Sequence, residues 1–334
     1  MSYGYSSGGR MQNTSRYNDD KLGMVPSVIP NSIKFARPKQ GPPGTRKEFR
    51  FNPDTTSYAS NTNNIVRFRF NNDGLIDFSR GFFAFDLSLT GGTGTYARVS
   101  QGIWSIVNRV RLTTGNELED MREYGRLHNL LWETHRDPEV GSVLGEVYGY
   151  GTQSQRNTWG ATPTKDYAMP LLCGFFLTGP IPMGLFNQML TLELYLEDPL
   201  RCIETDSPTP VVFTLTNVYF HYEVLHLENA AATSLASAAA AGIRYPFKSY
   251  VYYTQPVIAA QSNLLIPHSS TAIDAFIHTM VENDNLTNQL INDKQYTWLN
   301  NQCLQFQLKI NNEYFPAEPC FAASDPQAYV EYLR

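Results

Sequence analysis

Apolar and polar residues alternate along much of this chain. Val66, Phe68 and Phe70 alternate with Arg67 and Arg69, and Phe83, Phe85, Leu87 and Leu89 with Ala84, Asp86 and Ser88. Successive side chains of a strand point to opposite faces, so these runs predict half-buried strands over 64–70 and 82–89. Val110 and Leu112 continue the pattern, and Thr114-Gly115-Asn116-Glu117 reads as a turn. Helical spacing takes over within 119–135, where Tyr124, Leu127, Leu130 and Leu131 recur. Glu119, Asp120 and Glu123 would then stand at the positive end of a helix, as capping and solvated acids. Residues 136–166 form a long connection of the kind that is usually functional or interface-forming. Strands are expected again over 167–178, 211–216 and 218–227. The clearest lies between them, where Leu190, Leu192, Leu194 and Leu196 alternate with Thr191, Glu193, Tyr195 and Glu197. About eight strands with one helix suit an eight-stranded jelly roll.

Where the alternation stops, the organisation shows. Residues 1–30, rich in Ser, Gly, Asn, Tyr and Arg, hold too little apolar area to repay ordering and are expected to form a flexible arm. Pro30, Pro38, Pro42 and Pro43 keep the following stretch extended. Alanine-rich residues 229–243 favour a linker helix. A second strand-rich region, 244–334, follows, with strands expected over 250–253, 263–266 and 273–280. A repeat of the region 31–228 is expected: Leu308-Lys309-Ile310-Asn311-Asn312-Glu313-Tyr314 resembles Leu112-Thr113-Thr114-Gly115-Asn116-Glu117-Leu118 at an offset of 196 residues. Only 26 residues follow Leu308, whereas 115 separate Leu112 from residue 227. The second unit is therefore expected to be the N-terminal part of a roll. Its last strands would lie in a protein about 90 residues longer or come from another chain.

Composition sharpens this picture. Charged residues are only 17% of the 334 and aromatics 13%, a balance that suits protein interfaces. The net charge of −5 conceals an asymmetry. Arg10, Arg16, Lys21, Lys34, Arg37, Lys39, Arg46, Lys47 and Arg50, against three acids, give residues 1–50 a charge of +6. The rest carries −11, so a basic arm precedes an acidic body. No apolar run reaches membrane-spanning length, and no secretory leader is evident. Cys173, Cys202, Cys303 and Cys320 form no Cys-x-x-Cys pair and are expected to be reduced, buried thiols.

Candidate chemistry is sparse. Glu193 and Glu197 share a strand face about 13 Å apart, beyond the ~5–9.5 Å of glycosidase pairs, and read as solvent-facing or interface charges. His128, His135, His221, His226, His268 and His278 include no His-x-His pair. Gly91-Gly92-Thr93-Gly94 lacks the Lys of a phosphate-binding loop and reads as a turn. Arg67 and Arg69 are expected in salt bridges. No catalytic, cofactor-binding or metal residue is assigned, and no enzyme is expected.

Four features carry a resemblance to a known family. One is Ser32-Ile33-Lys34-Phe35 followed by strands 64–70 and 82–89; a second is the strand, Gly-Asn-Glu turn and helix from Val110 to Trp132. The third is Ile181-Pro182-Met183-Gly184-Leu185-Phe186 before the Leu/Glu strand, and the fourth the linker into a related strand region. Residues 31–334 resemble the double jelly-roll major capsid proteins of adenoviruses, membrane-containing tailless phages, polinton-like viruses and large eukaryotic DNA viruses. The resemblance implies an all-β double jelly roll of two eight-stranded antiparallel sandwiches, the second incomplete in this chain. It also implies homotrimers as pseudo-hexagonal capsomers in an icosahedral virion shell, made inside the host cell and not secreted. Partners would be neighbouring capsomers and minor capsid or penton proteins. The nine basic residues of the arm would face the interior, toward an internal membrane or packaged genome. The competing expectation is a carbohydrate- or receptor-binding jelly-roll spike or fibre head.

Overall fold

The computed structural model describes residues 44–70, 74–100, 102–135, 145–150, 164–186, 188–239, 242, 244–256, 263, 265–268, 272–277, 279, 281, 284–290, 305–310 and 312–321. The larger of two compact units takes 46–225 with 243–334; the smaller takes the described residues of 1–45 and 226–242. In the smaller unit, Asn229–Ala239 is a helix with no buried side chain.

Two antiparallel sheets dominate the larger unit. One orders its main strands as β1 (Gly44–Phe51), β12 (Val212–Leu227), β4 (Leu75–Thr90) and β8 (Thr164–Pro170). Short β2 (Ser57–Ala59) pairs with β12, and β9 (Ile181–Pro182) with β4. The other orders β3 (Ile65–Phe70), β10 (Leu190–Leu196), β6 (Val107–Thr114) and β7 (Asn116–Arg122). Of the eight main strands, chain neighbours alternate between the sheets except for the β6–β7 hairpin, which is the strand order of an eight-stranded jelly roll. A small ribbon joins β5 (Ala97–Val99) to β11 (Ile203–Thr205).

The alternation explains why the sheets stack. Val66, Phe68 and Phe70 of β3, Leu190, Leu192 and Leu194 of β10, and Val110 and Leu112 of β6 are all fully buried. They meet Phe83, Phe85, Leu87, Phe213, Leu215 and Phe220 from the opposite sheet in one core. Phe68 contacts Phe83 edge-on at 6.1 Å between ring centroids, and Phe70 contacts Phe78 at 5.0 Å. Such aromatic pairs add about 1 kcal/mol each beyond area burial.

Several elements differ from their sequence reading. The helix α1 spans Tyr124–His135, not 119–135, because β7 claims residues up to Arg122 by pairing with β6 in the register Val110↔Met121 and Arg109↔Arg122. Glu123, at φ 51°, breaks the strand before the helix begins. Glu119 and Asp120 are consequently strand residues, not helix caps. The strands expected over 211–216 and 218–227 are one 16-residue strand, β12, with a bulge at Asn217 (φ 50°). The stretch read as extended before residue 51 contains β1. In the second region, the described residues of 250–253, 263–266 and 273–280 are not in strands. The repeat marker does form a hairpin there: β13 (Gln305–Ile310) pairs antiparallel with β14 (Glu313–Phe321), as β6 pairs with β7. Gly115 and Asn312 take the left-handed turn conformation, at φ 76° and 75°.

Candidate functional site

The outer face of the β3-β10-β6-β7 sheet carries charge in a cross-strand ladder. Glu193 of β10 lies opposite Arg67 of β3 and Arg111 of β6. Arg67 Nε donates to Glu193 Oε1 at 2.8 Å, and the Tyr195 hydroxyl donates to Oε2 at 3.1 Å. Arg111 reaches Glu193 at 3.7 Å and Glu117 of β7 at 3.0 Å. One row along, Arg109 forks onto Asp120, which Arg122 approaches at 3.3 Å, and its guanidinium lies 5.1 Å from the centre of the Tyr195 ring. Burial pushes the Asp120 carboxyl up, but Arg109 outweighs it and the net shift is downward.

A second network covers the end of β10. Glu197 accepts from Asn108 Nδ2 at 2.8 Å and Arg201 Nη1 at 3.2 Å, while Arg201 Nη2 donates to Glu123 at 2.6 and 2.8 Å. Burial raises the Glu197 carboxyl, with Arg201 opposing. Glu193 and Glu197 are thus both buried and held by arginine, so of the two expectations, solvent-facing or interface charges, the solvent-facing one does not hold. Long arginine side chains lie over them, which a one-strand pattern does not reveal. Glu193 links β10 to β3 and β6, and Glu197 ties the end of β10 to Asn108 and Arg201. The Arg67 reading holds, and Arg69 pairs with Asp54 at 3.2 Å.

Of the basic arm, Arg46, Lys47 and Arg50 lie on edge strand β1; Arg10, Arg16, Lys21, Lys34, Arg37 and Lys39 fall outside the described residues. Arg46 bridges to Glu223 at 2.7 Å. Arg50 donates to Asn217 Oδ1 at 2.5 Å and stacks 3.9 Å from the Tyr219 ring centre. On this face Asp86 stands opposite Asp166, and its carboxyl is raised first by burial and then by that neighbour.

The described histidines are dispersed. His128 is buried in α1, His221 stacks on Phe82 at 4.7 Å, and His268 lies 3.2 Å from the Tyr253 hydroxyl. No group of three metal-ligating side chains occurs among the described residues. Cys173 and Cys202 are buried thiols outside any disulfide.

Three features escaped sequence reading. Glu119 is buried and receives Cys173 Sγ (2.6 Å), Gly174 N (3.0 Å) and Phe175 N (2.9 Å). Its inward position beside Met121 is legible only once β7 is known to be a strand. Gln289 is buried against the first roll: its amide donates to the carbonyls of Val211 (2.8 Å) and Pro199 (3.0 Å) and accepts from Val211 N (2.9 Å). Finally, among the described residues of 250–277, Tyr250, Val251, Tyr252, Tyr253, Leu265 and Phe276 are exposed, Leu265 by 76%. Large exposed apolar side chains, where they are contiguous, mark surfaces that meet other molecules.

No family model and no curated protein matches the sequence. Solved structures similar to the chain include one from the Sputnik virophage at 3.5 Å by cryo-EM, at 13% identity, TM-score 0.41, covering 58% of this chain and 50% of that one. The STIV MCP matches at 12% identity and TM-score 0.32, over 57% and 51%. The mavirus major capsid protein matches at 10% identity and TM-score 0.34, over 57% and 48%. The match spans about half the length of each of these chains. The strand order itself identifies the roll as a jelly roll.

Proposed function

We propose that this chain is a major capsid protein that acts by self-assembly. The observation that carries the reading is the pairing of sheets β1-β12-β4-β8 and β3-β10-β6-β7 into a jelly roll whose outer acids are neutralised by arginines. Such a body presents surfaces to other chains, and the exposed apolar side chains of 250–277 supply the contact area. In this reading residues 31–228 form one roll and 244–334 belong to a second, joined through 229–243. Three copies form a pseudo-hexagonal capsomer, across interfaces of about 2,000 Å² or more. Capsomers tile an icosahedral shell with minor capsid or penton proteins. The basic arm, including Arg46, Lys47 and Arg50, faces inward toward an internal membrane or the packaged genome. The virion is the site of action, and no reaction is catalysed.

Native mass spectrometry and electron microscopy of the expressed protein test this. Trimers and hexagonally packed capsomers are expected. A persistent monomer that binds glycans would overturn the proposal in favour of a receptor-binding head.

A further inference from the structure

His128 lies in α1 with 1% of its surface exposed. Its ring stacks on Trp104 at 4.3 Å and 25°, with the Tyr124 ring 5.7 Å away. Trp132, one turn later on the helix, packs against Trp104 at 5.2 Å, and Tyr150 closes the cluster at 6.0 Å from Trp132. The imidazole therefore sits inside an aromatic lock between α1 and the Ile103–Ile106 turn.

Both ring nitrogens are buried, and neither makes a well-formed hydrogen bond; the backbone of Pro170 on β8 offers an imidazolium weak relief. The titratable groups around the ring are Tyr124 on its own helix, and Glu119 of β7 and Cys173 of the loop after β8, which act on Tyr124. Tyr148 and Tyr150 approach from the 145–150 turn through Trp132. Among the described residues no carboxylate acts on the ring directly to pair with a positive charge. A buried charge without a partner is costly, so proton uptake requires that the ring reach water.

We propose that His128 is an acid-sensitive latch, in which the neutral imidazole holds α1 against the roll and proton uptake releases the helix. Burial pushes the closed-state imidazole down to about 3, whereas an opened, hydrated ring titrates near its ordinary 6.5. The closed state is favoured in full above the ordinary value, and that preference falls away as pH drops toward the depressed one. The opening constant of α1 thus rises about tenfold per pH unit below 6.5, roughly 30-fold by about pH 5.

Amide hydrogen exchange of α1 in the full chain, corrected for the intrinsic pH dependence of exchange, tests the latch. The intact protein is expected to show the roughly 30-fold rise in opening between about pH 7 and 5, while His128→Phe and His128→Leu stay flat. An equal rise in either folded variant overturns the proposal. Should both variants fail to fold, NMR of histidine-labelled intact protein decides. One imidazole still neutral in the native state at about pH 5 supports the latch, and six charged imidazoles refute it.

Discussion

Glu119 shows how one side chain holds a loop. Its carboxylate gathers the thiol of Cys173 and the amides of Gly174 and Phe175, so the 173–175 loop is fastened to the β7 strand. Glu119→Ala leaves the buried Phe175 amide, the half-buried Gly174 amide and a buried thiol without their acceptor. Unsatisfied groups of this kind cost ~1–3 kcal/mol each, and the variant is expected to lose about 3–5 kcal/mol in urea unfolding. Glu119→Gln keeps an acceptor and should lose less than half as much. Asp206 plays a similar role at the surface. It accepts from Thr95 Oγ1, Thr95 N and Tyr96 N, and these bonds, that of the Thr95 hydroxyl foremost, hold its carboxyl down to about 2. Its contribution is present above the ordinary carboxylate value of 3.8 and is lost as pH falls through about 2. Amides of 95 and 96 are therefore expected to stay protected from exchange at about pH 3. In Asp206→Ala that protection should be gone at every pH. Neither role was legible from residue type, since an acid in an alternating stretch looks the same whether it meets water or a backbone loop more than fifty positions away.

Most strands of the roll follow from period-two alternation, because a strand buries one face and its own residues record which. The helix boundary did not follow. Local spacing over 119–123 suits a helix start, but inter-strand hydrogen bonds to β6 outweigh that preference. The break in β12 was visible as a pause between two runs, and the structure shows why the strand continues through it. Asn217 adopts φ 50°, absorbs the extra residue and receives Arg50. Asn tolerates the left-handed region and a β-branched residue does not. Asn217→Gly should cost under about 1 kcal/mol and Asn217→Val about 2 kcal/mol. Denaturant midpoints of the two variants check this, and equal midpoints would show that the bulge is not strained.

Within the larger unit, the segment after the linker is held to the roll at two named places. Gln289 hydrogen-bonds both the N–H and the carbonyl of Val211, as a neighbouring strand would. Gly174 lies against the backbone carbonyl of Lys248, so that an added Cβ would come within 1.8 Å of that oxygen. Gly174→Ala is therefore expected to displace residues 244–250, which also pack Tyr245 and Phe247 on Phe175. Faster proteolysis within 244–256, with the roll's own unfolding little changed, is the expected outcome for Gly174→Ala and for Gln289→Leu. The sequence alone determined the all-β character, the buried faces of β3, β4 and β10, and the hairpin at Leu308, because each is written in neighbours a few residues apart. Tertiary structure decided that Glu193 and Glu197 are held by arginines, that His128 is enclosed by the rings of Trp104 and Tyr124, and that Gln289 bonds the backbone of a remote residue, Val211. Those outcomes depend on which distant groups arrive to exclude water, and no local pattern encodes that.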